Sequence, residues 1–418
     1  MITCRFASSI GLFLLLTITG CSGETEKENK SLFIIVDGIS ADVLEMIDTP
    51  NLDAIAREGA YTRGYIGGEA GGYSESPTVS AVGYNHVLTG VWSNKHNVYG
   101  NNIETPNYNY WNIFRLLKHN HPDKKVAIFS SWLDNRTKLA GEGLPAAGNL
   151  MFDIKYDGFE HDTLAFPHDE AGTYVQKIDQ HIAEKASESI KADGPDLSWV
   201  YLWYTDSAGH YYGDGDIYYE SLQVADKQIG LIRDAVKYRE ENFNEDWLIV
   251  VTTDHGRSLP DGKGHGGHSE RERTVWMVTN HSQTNTYFSA SSPGVVDIYP
   301  TISRFMNLDV PEPLSRELDG VPFIGQVSLS SPSAYLDNES GELHVSWKAW
   351  NEEGDVNIWV SRSNSFREGR EDPYELLGTA PLMAQEARLD ANGLNSGFIK
   401  IAIEGPDNTV NRWIVNED

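Results

Sequence analysis

Three aspartates that each follow a short apolar run are the residues of this chain best suited to metal chemistry. Asp37, Asp206 and Asp254 come directly after the runs IIV, WYT and VTT. In an open α/β sheet, ligands bind outside the carboxyl ends of the strands, so these acids are expected to converge on one edge. Any one of them taken alone could instead cap a following helix.

Histidines accompany two of these aspartates. His210 lies four residues after Asp206, His255 follows Asp254 directly, and the glycine-rich segment 264–268 adds His265 and His268. Carboxylates and neutral imidazoles together are ligands for zinc-like cations, and several acids brought together without a cation would repel one another. The set therefore predicts a metal site, although separate helix caps and surface histidines in glycine-rich turns would leave the same pattern.

The elements that must position these residues alternate between apolar, β-rich runs and helical patterns. Strands are predicted at 32–36, 126–129, 199–204, 248–252 and 275–278, and helices at 43–56, 110–118, 171–192, 221–239 and 295–306. This alternation is typical of an α/β layer fold with a largely parallel sheet. The continuous apolar run 32–36 predicts that both faces of the sheet are covered.

The pattern changes after about residue 324. Alternating segments at 343–347, 356–360 and 398–403 are separated by turns rich in Asn, Gly, Asp and Pro. Short strands at regular spacing predict a small C-terminal β-sandwich over 325–418, similar to a fibronectin type III module. We expect this part to pack against the larger part or to act as a spacer.

Composition limits the classes of partner. The 418 residues include 61 acidic and 33 basic side chains, a formal net charge of −28. Such a surface argues against a nucleic-acid partner held by neutralisation of phosphates. The ordinary apolar content of 40% also excludes a disordered or collagen-like chain.

The N-terminus resembles a bacterial lipoprotein signal. Arg5 precedes an apolar run over 10–18 that is too short to span a bilayer. Residues 18–21 match a lipobox, which implies a signal peptide over 1–20, a lipid anchor on Cys21 and a tether over 21–30. A cysteine that follows an ordinary signal by chance is the alternative. The lipobox implies a location in the bacterial cell envelope, in the periplasm or at the cell surface.

Taken in order, five motifs resemble the alkaline phosphatase superfamily and are closest to its type I phosphodiesterase/nucleotide pyrophosphatase branch. They are Asp37-Gly38, the segment 80–90 ending in Leu-Thr-Gly, the segment 206–210, Asp254-His255-Gly256 and His265-Gly266. The resemblance covers residues 31–324. It implies an alkaline phosphatase-like, mostly parallel sheet with helices on both faces.

The resemblance also implies two divalent metal ions, most simply Zn²⁺. The implied ligands are Asp206, His210 and His265 for one ion, and Asp37, Asp254, His255 and the nucleophile for the other. His268 is the alternative to His265, because a shift of three positions exchanges the two.

The implied nucleophile is Ser80, nine residues before Thr89 of the Leu-Thr-Gly turn, with Thr78 as the competitor. The phosphodiesterase branch has an asparagine three residues after its nucleophile, where this chain has Gly83. The amide that contacts the phosphate oxygens is therefore expected elsewhere, at Asn85, Asn101 or Asn102.

These residues predict a hydrolase of small-molecule phosphate esters that forms a phospho-enzyme on Ser80 and prefers diesters to monoesters. Two cations can stabilise both the attacking and the leaving oxygen of an in-line displacement at phosphorus. A phosphomonoesterase or a sulfatase of the same superfamily is the alternative, although Ser80 lacks the proline and arginine of the sulfatase motif. A non-catalytic surface lipoprotein that binds a partner is the alternative from another class.

Overall fold

The computed structural model describes Met1 and residues 27–337, 339–391, 394 and 397–415. Cys21 and the apolar run 10–18 lie outside the described residues, so the lipid anchor and the signal peptide stay predictions. Across the part of the chain that is described, none of the helices has the length and apolar content needed to cross a bilayer.

A seven-stranded sheet forms the centre of the larger part of the molecule. Its strands are β1 (Glu28–Val36), β2 (Ala60–Tyr65), β3 (Val126–Ser130), β4 (Ile154–Tyr156), β5 (Leu197–Leu202), β6 (Glu245–Thr252) and β7 (Thr274–Thr279). Their order across the sheet is β2-β7-β6-β1-β5-β3-β4. All neighbouring pairs from β6 to β4 are parallel, and β7 runs antiparallel to both β6 and β2. The predicted mostly parallel sheet is confirmed.

Helices cover both faces of this sheet, as predicted. They are α1 (Ala41–Leu44), α2 (Pro50–Glu58), α3 (Ser80–Thr89), α4 (Ser93–His96), α5 (Ile113–Asn120), α6 (Thr173–Asp193), α7 (Tyr204–Tyr212), α8 (Asp216–Asn242), α9 (Glu270–Arg273), α10 (Thr286–Ala290), α11 (Ile298–Phe305) and α12 (Glu312–Ser315). Successive side chains of β1 point to opposite faces, so Phe33 joins a core with α3, α5 and α11, and Ile34 joins one with α2, α6 and α8.

The single helical pattern predicted over 43–56 is divided into α1 and α2. Pro50 begins α2, where its missing N–H costs no hydrogen bond because the first turn of a helix leaves its N–H groups unpaired. The short strands β2 and β4 were not predicted. In β2 the side chains of Tyr61 and Arg63 are exposed, so the strand carries no continuous apolar signal.

Within the described residues of the C-terminal part, seven antiparallel strands follow, which confirms the predicted β-rich region. They are β8 (Leu329–Asp337), β9 (Glu342–Ala349), β10 (Asp355–Ser361), β11 (Glu375–Pro381), β12 (Glu386–Asp390), β13 (Phe398–Glu404) and β14 (Thr409–Val415). They form one sheet of order β11-β10-β13-β14 and another of order β12-β9-β8. The domain boundary at residue 324 stays a prediction, and the first of these strands begins five residues after it.

The C-terminal sheets are joined to the larger part by a buried network of charges. Lys95 at the end of α4 lies 2.6 Å from Asp319, and its ammonium also donates to Asn411 of β14. Lys400 of β13 lies 2.6 Å from Glu317. Removing one partner from a buried pair of this kind leaves an uncompensated charge, which costs roughly 3–5 kcal/mol. The two parts are therefore fixed to one another.

The same interface reaches the segment that leads to Ser80. The ring of Trp413 stacks on Tyr73 with 5.7 Å between centroids, and its backbone N–H donates to the Tyr73 hydroxyl. Arg412 pairs with Glu69. The C-terminal sheet therefore supports the loop between β2 and α3.

Candidate active site

The site lies at the carboxyl ends of the three central strands. Because β6, β1 and β5 are adjacent and parallel, their ends meet on one edge. Asp37 follows β1 directly, and Asp254 lies two residues after β6. Asp206 differs from the prediction: β5 ends at Leu202, and Asp206 stands in the first turn of α7.

Asp37, Asp254 and His255 converge on a single point. The Nε2 atom of His255 lies 3.4 Å from Asp37 Oδ1 and 3.3 Å from Asp254 Oδ2. Neither of these two buried carboxylate oxygens has a hydrogen-bond partner among the described residues. Buried polar atoms are nearly always paired, so an unpaired set of two oxygens and one nitrogen fits a missing cation.

The other oxygen of each carboxylate is occupied by protein donors. Tyr84 and Tyr201 both donate to Asp37 Oδ2, the latter at 2.6 Å. The backbone N–H of Gly38 donates to Asp254 Oδ1 at 3.0 Å. These hydrogen bonds orient each aspartate with its other oxygen toward the shared point. Hydrogen bonds of this kind usually orient the ligands of a metal ion.

A second group is formed by Asp206, His210 and His265. His210 Nε2 lies 3.3 Å from Asp206 Oδ2, and His265 Nε2 lies 3.7 Å from Asp206 Oδ1. The two Nε2 atoms are 3.0 Å apart. The rings of His255 and His265 stack at 3.8 Å, so the two groups are adjacent. Among the described residues, Asp206, His255 and His265 have donor atoms close enough together to hold one cation, as do Asp37, Asp254 and His255, and His210 Nε2 lies next to the first set.

All three imidazoles are fixed in the tautomer that a metal requires. The Nδ1 atoms of His210, His255 and His265 lie 2.8–2.9 Å from the backbone carbonyls of Lys263, Gly256 and Thr78. A carbonyl oxygen only accepts, so each Nδ1 carries the proton and donates. When a ring is neutral, its Nε2 atom therefore keeps a lone pair for a cation, whereas the hydrogen bond with Asp206 raises the pKa of His210.

Burial and neighbouring charges shift the pKa values of the acids and imidazoles in the two groups. Burial, together with the charges of Asp254 and Asp206, raises the pKa of Asp37 well above its usual range. Burial likewise raises the pKa of Asp254 to about 7. Although burial opposes it, the hydrogen bond with His210 and the charge of Arg257 hold the pKa of Asp206 below its usual value. Burial also lowers the pKa of His255 far below its ordinary value, so this ring is neutral.

Ser80 is the first residue of α3 and lies beside both groups. Its Oγ atom is 3.5 Å from His255 Nε2, and its side chain lines the cavity at the site. The hydroxyl of Thr78 makes other contacts. It donates to the Gly267 carbonyl at 2.9 Å and accepts from the Gly266 N–H. The hydroxyl of Thr78 therefore braces the loop that carries His265.

The glycine at position 83 has a steric cause. A Cβ atom there would lie 2.6 Å from the carbonyl oxygen of Asp254 and 2.8 Å from its Cβ. An asparagine at this point of α3 would push the helix away from Asp254. Of the three substitutes predicted, only Asn101 lines the cavity, and its Oδ1 accepts from the Ala81 N–H at 2.9 Å. Asn85 is buried and lines a separate cavity with Thr89 and Tyr110, and Asn102 donates to Glu104.

The cavity above the two groups has a volume of about 410 Å³. Its wall is largely aromatic, formed by Trp132, Tyr174, Trp203 and Tyr211. Among the described residues that line it, none is Lys or Arg. The cavity therefore has an aromatic, largely apolar wall, and its base is formed by acidic and histidine side chains that could bind cations.

His268 lies apart from the two groups. Its side chain is 44% exposed and its nearest carboxylate is Glu75, at 3.5 Å. His265 is only 10% exposed and faces Asp206.

This difference leads to a test. We expect His265→Ala to remove one equivalent of bound divalent metal and to lower turnover about a hundredfold or more, because a bound cation supplies several kcal/mol of transition-state stabilisation. His268→Ala is the matched control and should keep the metal content of the wild type, measured by elemental analysis of the purified protein. Loss of metal in the control variant instead would exchange the roles of the two histidines.

Comparison with known proteins decides the family. Residues 31–301 match the family described as type I phosphodiesterase / nucleotide pyrophosphatase. The chain belongs to this family. The resemblance given by the five motifs is thereby confirmed.

Relatives in this family are distant. Ectonucleotide pyrophosphatase/phosphodiesterase family member 7 of Rattus norvegicus is 23% identical over 267 residues, which cover 61% of this chain and 56% of the rat protein. Venom phosphodiesterase CdcPDE of Crotalus durissus collilineatus is 25% identical over 247 residues, 57% of this chain and 27% of the venom protein. The chain thus matches about half of the rat protein and a quarter of the venom protein.

Solved structures show the same fold. The phosphonate monoester hydrolase of Agrobacterium radiobacter aligns with a TM-score of 0.50 at 14% identity, over 84% of this chain and 88% of its own. A putative sulfatase from Bacteroides thetaiotaomicron aligns with a TM-score of 0.50 at 12% identity, over 84% of this chain and 86% of its own. The alkaline phosphatase-like fold is confirmed.

Proposed function

We propose that this protein is a two-zinc hydrolase of small-molecule phosphate diesters that uses Ser80 as its nucleophile. The observation that carries the proposal is the pair of unpaired carboxylate oxygens on Asp37 and Asp254, which meet His255 Nε2 within 3.5 Å of Ser80 Oγ. Asp206, His210 and His265 would hold the second cation. Bound zinc would stabilise negative charge on the attacking and leaving oxygens.

Ser80 would form the bond to phosphorus while the bond to the leaving alcohol breaks. The proton given up by the Ser80 hydroxyl is balanced by the proton that the leaving alcohol takes up. Water would then cleave the phosphoserine ester and restore the hydroxyl. Position favours this role, because Ser80 begins α3 and the N-terminus of a helix stabilises an anion.

Asn101 would bind a phosphate oxygen in place of the asparagine that Gly83 excludes. Its carbonyl oxygen is occupied by the Ala81 N–H, so its own N–H groups are available to an acceptor in the cavity that it lines. Such a donor, fixed before the substrate arrives, stabilises charge that develops during the reaction.

The cavity favours a diester over a monoester. A monoester carries a second negative charge, and none of the described residues that line the wall is a Lys or Arg that could balance it. The rings of Trp132, Tyr174, Trp203 and Tyr211 suit an uncharged, flat or sugar-like substituent. We also propose, from the lipobox alone, that Cys21 anchors the protein in the bacterial envelope.

Three chromogenic substrates test this proposal on the zinc-loaded protein. We expect kcat/KM for bis-p-nitrophenyl phosphate to exceed that for p-nitrophenyl phosphate and p-nitrophenyl sulfate by about tenfold or more, a difference of about 1.4 kcal/mol in transition-state binding. A preference for the monoester or the sulfate would replace the diesterase by the corresponding member of the superfamily. Bound zinc without turnover of any of the three would favour a binding protein.

A further inference from the structure

Arg257 is a fully buried guanidinium that touches the candidate metal site. It follows Asp254-His255-Gly256 in the chain, and its side chain has no solvent exposure. Its Nη1 atom donates to Asp206 Oδ1 at 2.6 Å. Its Nη2 atom donates to the Lys263 carbonyl at 3.0 Å, and its Nε atom donates to the Gly262 carbonyl.

The fold leaves space for this guanidinium on two sides. A Cβ atom on Gly38 would lie 2.6 Å from Asp206 Oδ1 and 2.9 Å from Arg257 Nη1. A Cβ atom on Gly209 would lie within 2.5 Å of the Arg257 guanidinium. Gly38 also has a φ of +68°, which disfavours any other residue. Both glycines are therefore needed for Arg257 to reach Asp206.

Arg257 acts on two members of the same group of ligands. It holds Asp206 directly by a charge-assisted hydrogen bond, which is stronger than a neutral one. It reaches His210 through the Lys263 carbonyl, which also accepts from His210 Nδ1 at 2.8 Å. In contrast, Asp37 and Asp254 are held by neutral donors, the two tyrosine hydroxyls and the Gly38 N–H.

We propose that Arg257 is a positioning residue that orients Asp206 and makes the cation site of Asp206, His210 and His265 the weaker of the two. This inference rests on the proposed two-zinc function. The charge of Asp206 is balanced by Arg257, so this group has no net charge, whereas Asp37 and Asp254 give the other group two negative charges once a cation has displaced the protons that they hold. A fixed positive charge at hydrogen-bond distance from a ligand opposes a divalent cation.

The same charge serves the substrate. With both cations bound, Arg257 leaves the site one unit more positive than the ligands alone would. An anionic ester is attracted more strongly to such a site, and the field is little screened because the guanidinium is buried. Arg257 thus lowers the affinity of the site for a cation and increases its attraction for the anionic substrate.

Zinc titration of the metal-free full chain against a competing chromogenic chelator tests the inference. We expect two equivalents, with the second Kd larger by about tenfold or more. His210→Ala, at a half-exposed side chain, should abolish the weaker equivalent and leave the tighter one unchanged. Loss of the tighter equivalent would overturn the inference.

Two variants of Arg257 separate its charge from its shape. Arg257→Gln should lower the Kd of the weaker equivalent by about tenfold or more and raise KM for the diester, whereas Arg257→Lys keeps the charge and should leave that Kd within about threefold. An unchanged or larger Kd in Arg257→Gln would overturn the inference. If circular dichroism shows that this variant does not fold, the His210→Ala result decides. Absence of any zinc binding in the wild type would refute the proposed function itself.

Discussion

Ser80→Ala is expected to reduce hydrolysis of bis-p-nitrophenyl phosphate by roughly a thousandfold or more while both zinc equivalents remain bound. Removing the nucleophile eliminates the covalent route, and the residual rate comes from binding and electrostatic stabilisation alone. The carboxylate and imidazole donors of both groups are untouched by the substitution. Steady-state kinetics with elemental analysis of the same preparation measures both quantities.

Thr78→Val provides the matched control for this prediction. It removes a buried hydroxyl two residues away, with its bonds to Gly266 and Gly267, but it keeps the Thr78 carbonyl that accepts from His265 Nδ1. We expect a loss of no more than about thirtyfold, since the two neutral hydrogen bonds contribute about 1 kcal/mol each. A phosphoserine trapped by acid quenching should map to residue 80. If Thr78→Val abolished turnover and Ser80→Ala did not, the nucleophile would be Thr78.

The local sequence is sufficient to predict the positions of two of the three aspartates, Asp37 and Asp254. The runs before Asp37 and Asp254 are continuous, β-branched and buried on both faces, so the strand and the position of its carboxyl end follow from the sequence. Asp206 was placed less well. The strand predicted at 199–204 ends at Leu202, because Asp179 of α6 accepts from the Trp203 and Tyr204 N–H groups and so starts α7. The hydrogen bond between Asp179 and Trp203 joins residues 24 positions apart, so it could not be predicted from the local sequence around residue 203.

Arg257 and the cavity wall could not be predicted for the same reason. In the sequence Arg257 is one charged residue after a His-Gly pair, and only the fold brings Gly38 and Gly209 against its guanidinium. Trp132 and Trp203 reach the cavity from loops after different strands. The motifs therefore predict which residues hold the cations, whereas the residues that tune and shape the site depend on contacts between distant segments.

Removing the metal should destabilise the protein, and the effect should grow with pH. A carboxyl group whose pKa is raised in the folded state binds a proton that the unfolded chain has released, so it lowers the free energy of unfolding as pH rises from its unfolded to its folded pKa. For Asp254 this window runs from about 4, the value of a free aspartate, to about 7. The pKa of Asp37 is shifted in the same direction, by burial and by the charge of Asp254. Bound zinc would cancel this loss, because it would replace the protons.

The difference in Tm between zinc-loaded and chelator-treated protein should therefore be small near pH 5 and should increase to about pH 7.5, above the window. Groups remote from the metal affect both Tm values equally, so their contributions cancel in the difference. Asp297, whose pKa burial raises to about 7, is one such group. His255 contributes nothing to the increase, because burial already keeps it neutral without zinc. Asp254→Asn is the control, since asparagine holds no proton that zinc could displace. In this variant the Tm difference should increase less with pH. A difference that is constant or falls with pH in the wild type would mean that zinc does not replace protons on these acids, and that the repulsion between Asp37 and Asp254 is relieved in another way.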